Sequence, residues 1–302
     1  MRKTLIAAAM ATAFASPALV FAADAAPTPT HSFAPNVGVV SDYLFRGISQ
    51  TRHAAALQGG VDYSHSSGLY AGVWGSTISW VKDALGSGGT EIDLYGGYKN
   101  TFAGGDWTYD VGLIHYNYPG SGGSTKGNAA VFSQFANPNT TEVYGAIGYK
   151  WVTVKYSQAI SSHFIGWVPT TAAGTDATRN TKGSNYLEIN AAYDVGDGWG
   201  VSGHVGKQKV KNVVSTTAAV PTAASADYTD WNIGVTKDVG FGVVGLTYSD
   251  TDAKGHCSNP FPAAGTVSAY CWGANMNSTT GGQNGFKDVA KGAIVLSFKK
   301  TF

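Results

Sequence analysis

The chain has 302 residues, of which only 13% are charged, with 20 basic and 19 acidic side chains beside 40 Gly, 16 Tyr, 13 Phe and 8 Trp. Soluble domains average about 25% charged residues, so this composition argues against an ordinary soluble domain, and the near-neutral balance gives no reason to expect a nucleic-acid partner. Beyond the first 22 residues no window approaches about 18 continuous apolar positions, which excludes helical membrane spans.

The chain opens with Arg2 and Lys3, then an apolar run from Leu5 to Val20. Val20-Phe21-Ala22 places small residues where a signal peptidase reads. Residues 1–22 are therefore expected to be a cleaved signal peptide, with a cut in the following Ala-rich stretch as the alternative, and residues 23–302 a single domain. Removing Arg2 and Lys3 leaves 18 basic against 19 acidic residues.

Period-2 alternation recurs along this domain, in segments of about ten residues. Over 90–100, Ile92, Leu94, Gly96 and Tyr98 share one face, and Glu91, Asp93, Tyr95 and Lys99 share the other. Over 184–195, Leu187, Ile189, Ala191, Tyr193 and Val195 oppose Tyr186, Glu188, Asn190 and Asp194. Twelve strands are predicted: 35–45, 54–64, 69–80, 90–100, 105–117, 140–150, 151–161, 184–195, 198–210, 227–238, 240–250 and 286–302. Tight connections fall at 66–68, 100–105, 149–152, 196–198 and 239–240. Long polar ones fall at 46–53, 81–89, 118–139, 162–183, 211–226 and 251–285.

Short and long connections alternate without a break. An all-β, up-and-down antiparallel transmembrane barrel needs this: an even strand number, short periplasmic turns and long extracellular loops. A soluble sandwich explains strands of this length but not the alternation. A lipid-spanning sheet must close on itself to pair its backbone groups. Trp107, Tyr109, Tyr149, Trp199, Phe241 and Phe298 lie near turn-side strand ends, where an aromatic girdle belongs. The chain ends with Ile294, Leu296, Phe298 and Phe302 on one face, resembling the terminal signal read by the bacterial outer-membrane assembly machinery. Phe298 and Phe302 are its expected carriers. Lys300 departs from that pattern and is expected to snorkel to the headgroups.

The stretch Asn36–Thr51, NVGVVSDYLFRGISQT, resembles the opening strand of the TorF-type porin family, formerly described only as a conserved protein of unknown function. Leu57–Tyr63, Gly68–Trp74 and Glu91–Tyr98 are similar to its next three strands, so the specific resemblance covers about the first 120 residues. Arg52-His53-Ala54 departs from that family, which tends to have an acidic or Gly-containing loop ending in Pro, so no binding role carries over to this loop. The resemblance implies an outer-membrane barrel with the lipid bilayer as its partner and names no substrate.

On the polar faces, Glu91, Asp93, Asp110, Glu142, Lys155, Glu188 and Asp230 are expected to line a lumen passing small hydrophilic solutes. Six of the seven are carboxylates, which predicts weak cation selectivity. Asp42 and Arg46, at the loop-side end of the first strand, form either an eyelet or a structural salt bridge. Ser202 and His204, with Asp230 and Asn232 on the next strand, make a hydrolase set conceivable, but strand parity points them into the lumen. A plugged structural or adhesive barrel is the third reading. Gly120–Ser124 lacks the following Lys-Ser/Thr pair of a phosphate loop. The seven His have no ligand spacing, so no metal or other cofactor is expected. Cys257 and Cys271 are expected to form a disulfide in the final long loop. Nothing in the sequence sets an oligomeric state.

Overall fold

The computed structural model describes residues 29–85, 87–121, 136–171, 174–175, 178–217, 220–253, 270–273 and 287–302. Residues 1–22, expected to be a leader, and Cys257 lie outside them. Twelve strands form one closed barrel: β1 (His31–Val40), β2 (Ala56–His65), β3 (Leu69–Thr77), β4 (Thr90–Phe102), β5 (Trp107–Asn117), β6 (Thr140–Tyr149), β7 (Val152–Ala159), β8 (Asn185–Gly196), β9 (Trp199–Lys209), β10 (Tyr228–Asp238), β11 (Val243–Thr251) and β12 (Ala293–Thr301). Each pairs antiparallel with its neighbours in sequence. β12 closes onto β1, with Val39 opposite Phe298 and Asn36 opposite Thr301.

The cause of closure is written in the faces. In β1 exposed and half-buried residues alternate along all ten positions. Every strand turns a large apolar side chain outward, in order Val37, Val61, Val73, Leu94, Leu113, Val143, Val154, Ile189, Val205, Ile233, Leu246 and Leu296, all exposed. A soluble protein rarely exposes a contiguous apolar patch above a few hundred Å², whereas a lipid-facing wall requires an unbroken one. Trp107, Tyr149, Trp199 and Phe241 are exposed at the turn end as expected. Trp107 and Tyr149 pack with ring centroids 4.8 Å apart. Phe298 and Tyr109 are half-buried, packed against Phe241 and Tyr98 respectively.

The twelve expected strands are all present, most with bounds shifted by one to three residues. The third ends at Thr77 rather than 80 because Trp80 begins a short helix, and two strands change more. The first runs over His31–Val40 rather than 35–45, and the last over Ala293–Thr301 rather than 286–302. After Val40 the chain leaves the wall and turns inward. Leu44–Phe45 pairs with Ile48–Ser49 as a small hairpin inside the barrel, so the apolar pattern past Val40 belongs to a buried insert. The 46–53 connection, expected as an outer loop, is therefore interior. A short helix, α1 (Trp80–Leu85), packs with this hairpin, Phe164, Trp167, Tyr270 and Trp272 in one buried aromatic cluster. The hydrophobic core of this protein thus lies within the loop-side half of the barrel.

Candidate functional site in the barrel interior

The inner hairpin is built on a two-residue turn, Arg46-Gly47, with both residues at positive φ (49° and 78°). That is the twist-compatible form of a tight hairpin turn. Gly47 is required twice over, because a Cβ there would lie 2.5 Å from Thr251 Cγ2 and 2.8 Å from Asp230 Cβ. The turn throws the Arg46 side chain across the lumen. Its Nη1 and Nη2 donate to Glu142 Oε1 and Oε2 at 3.2 and 2.6 Å, and Nη1 also donates to Gln208 Oε1 at 2.7 Å. Its guanidinium carbon lies 4.3 Å from the Tyr186 ring centroid and 4.8 Å from that of Phe45. A forked, two-point pair with a buried carboxylate is the strong form of this interaction.

Asp42 does not pair with Arg46, so the salt bridge offered as one alternative for these two residues is not formed. The hairpin points Arg46 away, while Asp42 accepts from Ser49 Oγ at 2.6 Å and Thr51 Oγ1 at 3.0 Å. His53 Nδ1 sits 2.7 Å from Asp42 Oδ2, and its Nε2 lies 2.8 Å from the Asp288 carbonyl oxygen. Ser49 N donates to Val289 O at 2.8 Å, and Arg52 pairs with Asp83 at 2.7 Å. The first loop is thereby latched to α1 and to the segment preceding β12.

Two of these latches titrate in the same direction. The hydrogen bond to Asp42 holds the His53 imidazole above its ordinary value. Its stabilisation is fully present below the unfolded imidazole value, about 6.5, and is lost as pH rises through the folded one. Burial pushes the Asp83 carboxyl up to about 6 against the opposing pull of Arg52. Ionising it therefore weakens the folded state as pH climbs from the ordinary carboxylate value toward 6. Amide protection of residues 41–53, corrected for intrinsic exchange, is expected to fall as pH rises above about 6, and His53→Gln to flatten that fall. Protection independent of pH in the unaltered protein would remove His53 from the latch.

All nine residues expected to line a lumen lie on the inner side of the wall, but they form separate groups. Glu142 belongs to Arg46, with Tyr116 donating to it at 3.2 Å. Glu91 accepts from Tyr43 at 2.9 Å, and Asp93 lies beside it on the same face. Asp110 accepts from Tyr70 at 2.6 Å, and Tyr70 also bonds Tyr144, over whose ring Lys155 Nζ sits at 4.2 Å. Lys155 stands opposite Glu188 in register. Asp230 takes the Tyr186 hydroxyl at 2.8 Å and His204 Nε2 at 3.0 Å.

Of the conceived hydrolase set, the His204–Asp230 contact forms at 3.0 Å, while His204 Nδ1 also meets Asn190 at 2.7 Å and its Nε2 also meets the Tyr186 hydroxyl at 2.8 Å. Cys271 is fully buried, not a free thiol, and paired in a short ladder with Asp288. Sequence reasoning missed the interior cluster formed by Tyr43, Phe45, Trp80, Phe164, Trp167 and Trp272. The signal was present, since outer loops facing water have no use for so many large aromatics. Twelve residues, among them Phe45, Trp80, Phe164 and Tyr270, line a cavity of about 40 Å³ beside the hairpin, room for a few waters at most.

Comparison with known proteins gives one family match, to the family described as "Bacterial protein of unknown function (Gcw_chp)", over residues 24–302. Comparison with curated proteins gives no match. Among solved structures, similarity extends to a KdgM porin in complex with disordered oligogalacturonate (TM-score 0.45, 6% identity, 90% of this chain and 99% of that one). It extends also to a NanC porin (0.42, 9% identity, 89% and 98%) and to Pseudomonas aeruginosa OprD (0.38, 10% identity, 92% and 68%). At those scores the barrel rests on the strand pairing given above and not on the likeness.

Proposed function

The chain belongs to the bacterial family of unknown function Gcw_chp, and from that premise we propose that it is an outer-membrane channel for small hydrophilic solutes or ions, narrowed by its own first loop. The observation that carries this reading is the combination of an unbroken outer apolar belt with a charged interior crossed by Arg46 and Glu142. An apolar outside suits lipid, and a ring of ionisable groups inside suits water and solutes. The TorF-type resemblance agrees with it. Residues 1–22 then serve as the export leader, residues 23–302 as the barrel, and Phe298 and Phe302 as the signal to the assembly machinery. A Cys257–Cys271 disulfide would tie down the last loop by roughly 3 kcal/mol, and would show as a two-proton mass gain on reduction.

Weak cation preference is part of this proposal. Glu142 neutralises Arg46, which leaves Asp62, Glu91, Asp93, Asp110, Glu188 and Asp230 facing Lys99, Lys155, Lys299 and His204 among the described inner groups, a balance still on the acidic side. Planar bilayers under a salt gradient test it. A small conductance is expected, with a cation-favouring reversal potential that Glu91→Gln and Asp93→Asn diminish. An anion preference unmoved by those variants would overturn the selectivity. A barrel that passes no current even with residues 43–50 deleted would be the plugged structural protein instead.

A further inference from the structure

Most inner charges meet an opposite charge or a hydrogen-bond donor. One pair leaves an acceptor over. Glu91 and Asp93 stand two apart on β4, share its inner face, and are each only 1% exposed. Glu91 has the Tyr43 hydroxyl. Asp93 Oδ1 is buried without any protein hydrogen-bond partner. Among the described residues, the salt bridges formed by Arg46, Arg52, His53, Lys150 and His204 all go to other carboxylates. In register, Asp93 is flanked by Trp74 on β3 and Tyr116 on β5, and the Tyr43 ring meets Trp74 edge-on at 5.6 Å.

Two adjacent carboxylates out of water cannot both stay charged and unmatched, because each desolvated anion costs several kcal/mol and repels the other. Either they share a proton or they hold a cation. The surroundings favour the second. Trp74 and Tyr116 flank Asp93, and Tyr43 and Tyr118 reach Glu91, and such electron-rich side chains favour a cation over a shared proton. The donor set also selects the charge. Divalent ions want six or more oxygens, usually with several carboxylates, and no group of three or more acidic, His or Cys ligands occurs among the described residues. The structure assigns to Glu91 and Asp93 a binding site for one compact monovalent cation, either a bare alkali-type ion or the ammonium group of a small solute. The site deepens the cation preference proposed above. It depends on the inward facing of β4 and not on conduction, so it can stand if the lumen proves closed.

Thallium(I) titrated into the folded full-length protein in detergent, followed by ²⁰⁵Tl resonance, reads the site without any current. A saturable shift at about one ion per chain is expected. Asp93→Asn and Glu91→Gln should each weaken it at least tenfold, while the turn variant Asp197→Asn leaves it unchanged. Asp93→Asn removes an unmatched charge, so this variant should fold, and its heat-dependent gel mobility verifies that it does. Displacement of thallium by methylammonium supports an ammonium-accepting site, and displacement by potassium alone supports a bare-ion site. Folded protein that shows no saturable thallium shift and no methylammonium binding overturns the assignment, as does full binding retained in Asp93→Asn.

Discussion

Replacing Arg46 with alanine is expected to raise single-channel conductance several-fold and to cost about 3–5 kcal/mol of stability. Both effects have one origin. Glu142 is completely buried and takes two of its hydrogen bonds from Arg46. Removing the guanidinium leaves a desolvated carboxylate with only the Tyr116 hydroxyl, and releases the tip of the hairpin from Gln208 and the faces of Phe164 and Tyr186. The double variant Arg46→Ala/Glu142→Gln separates the two effects. Neutralising the orphaned acid should return much of the stability while the raised conductance persists. Conductance unchanged in both variants would mean that the hairpin is not what narrows the lumen.

Leu246→Arg is expected to cost about 2–4 kcal/mol in a bilayer and to remove most of the compact, heat-modifiable form expected on gels. Leu246 is outward and exposed, midway along β11, in register with Val235 and Leu296. A guanidinium there meets hydrocarbon with no lumen to retreat into. Asp197→Arg, at the β8–β9 turn, should leave assembly intact because that end meets water and headgroups. A chain that tolerates Leu246→Arg as easily as Asp197→Arg does not face lipid with this wall.

The wall was legible in the sequence because its cause is local. Alternation over Glu91–Asn100 or Leu187–Val195 assigns each residue a side as soon as a strand forms, and the spacing of turns counts the strands. The inward direction of the seven charged residues on the strands, Glu91 to Asp230, followed from parity alone, whereas that of Asp42 and Arg46 comes from the inner hairpin. What parity does not carry is which inner groups meet. Arg46 and Glu142 are 96 positions apart, Arg46 and Gln208 162, and their encounter depends on a turn that folds into the lumen rather than out of it. The signs of that fold were two: Arg46-Gly47 as a tight-turn pair, and bulky rings such as Trp80, Phe164 and Trp167 in stretches otherwise polar. Reading 35–45 as one long strand concealed the first, since Leu44 and Phe45 continue an apolar pattern although they serve a different surface.

The latch between the first loop and the last segment sets an order of events for the newly made chain. The inner hairpin follows β1 directly, yet its seat comes from β6, β9 and β10, which emerge about 100 to 180 residues later. Nearer segments hold it through Arg52 on Asp83 and Tyr43 on Glu91, while Ser49 on Val289 and Ser41 on Leu296 tie it to the stretch that also supplies the closing seam. Such distant contacts form slowly, since each must overcome the entropy of a long intervening loop. The same terminal piece thus completes the cylinder and helps to fasten its contents. In the membrane setting proposed above, that coupling brings sealing of the wall and stoppering of the bore close together in time, which limits leakage while the barrel is being built.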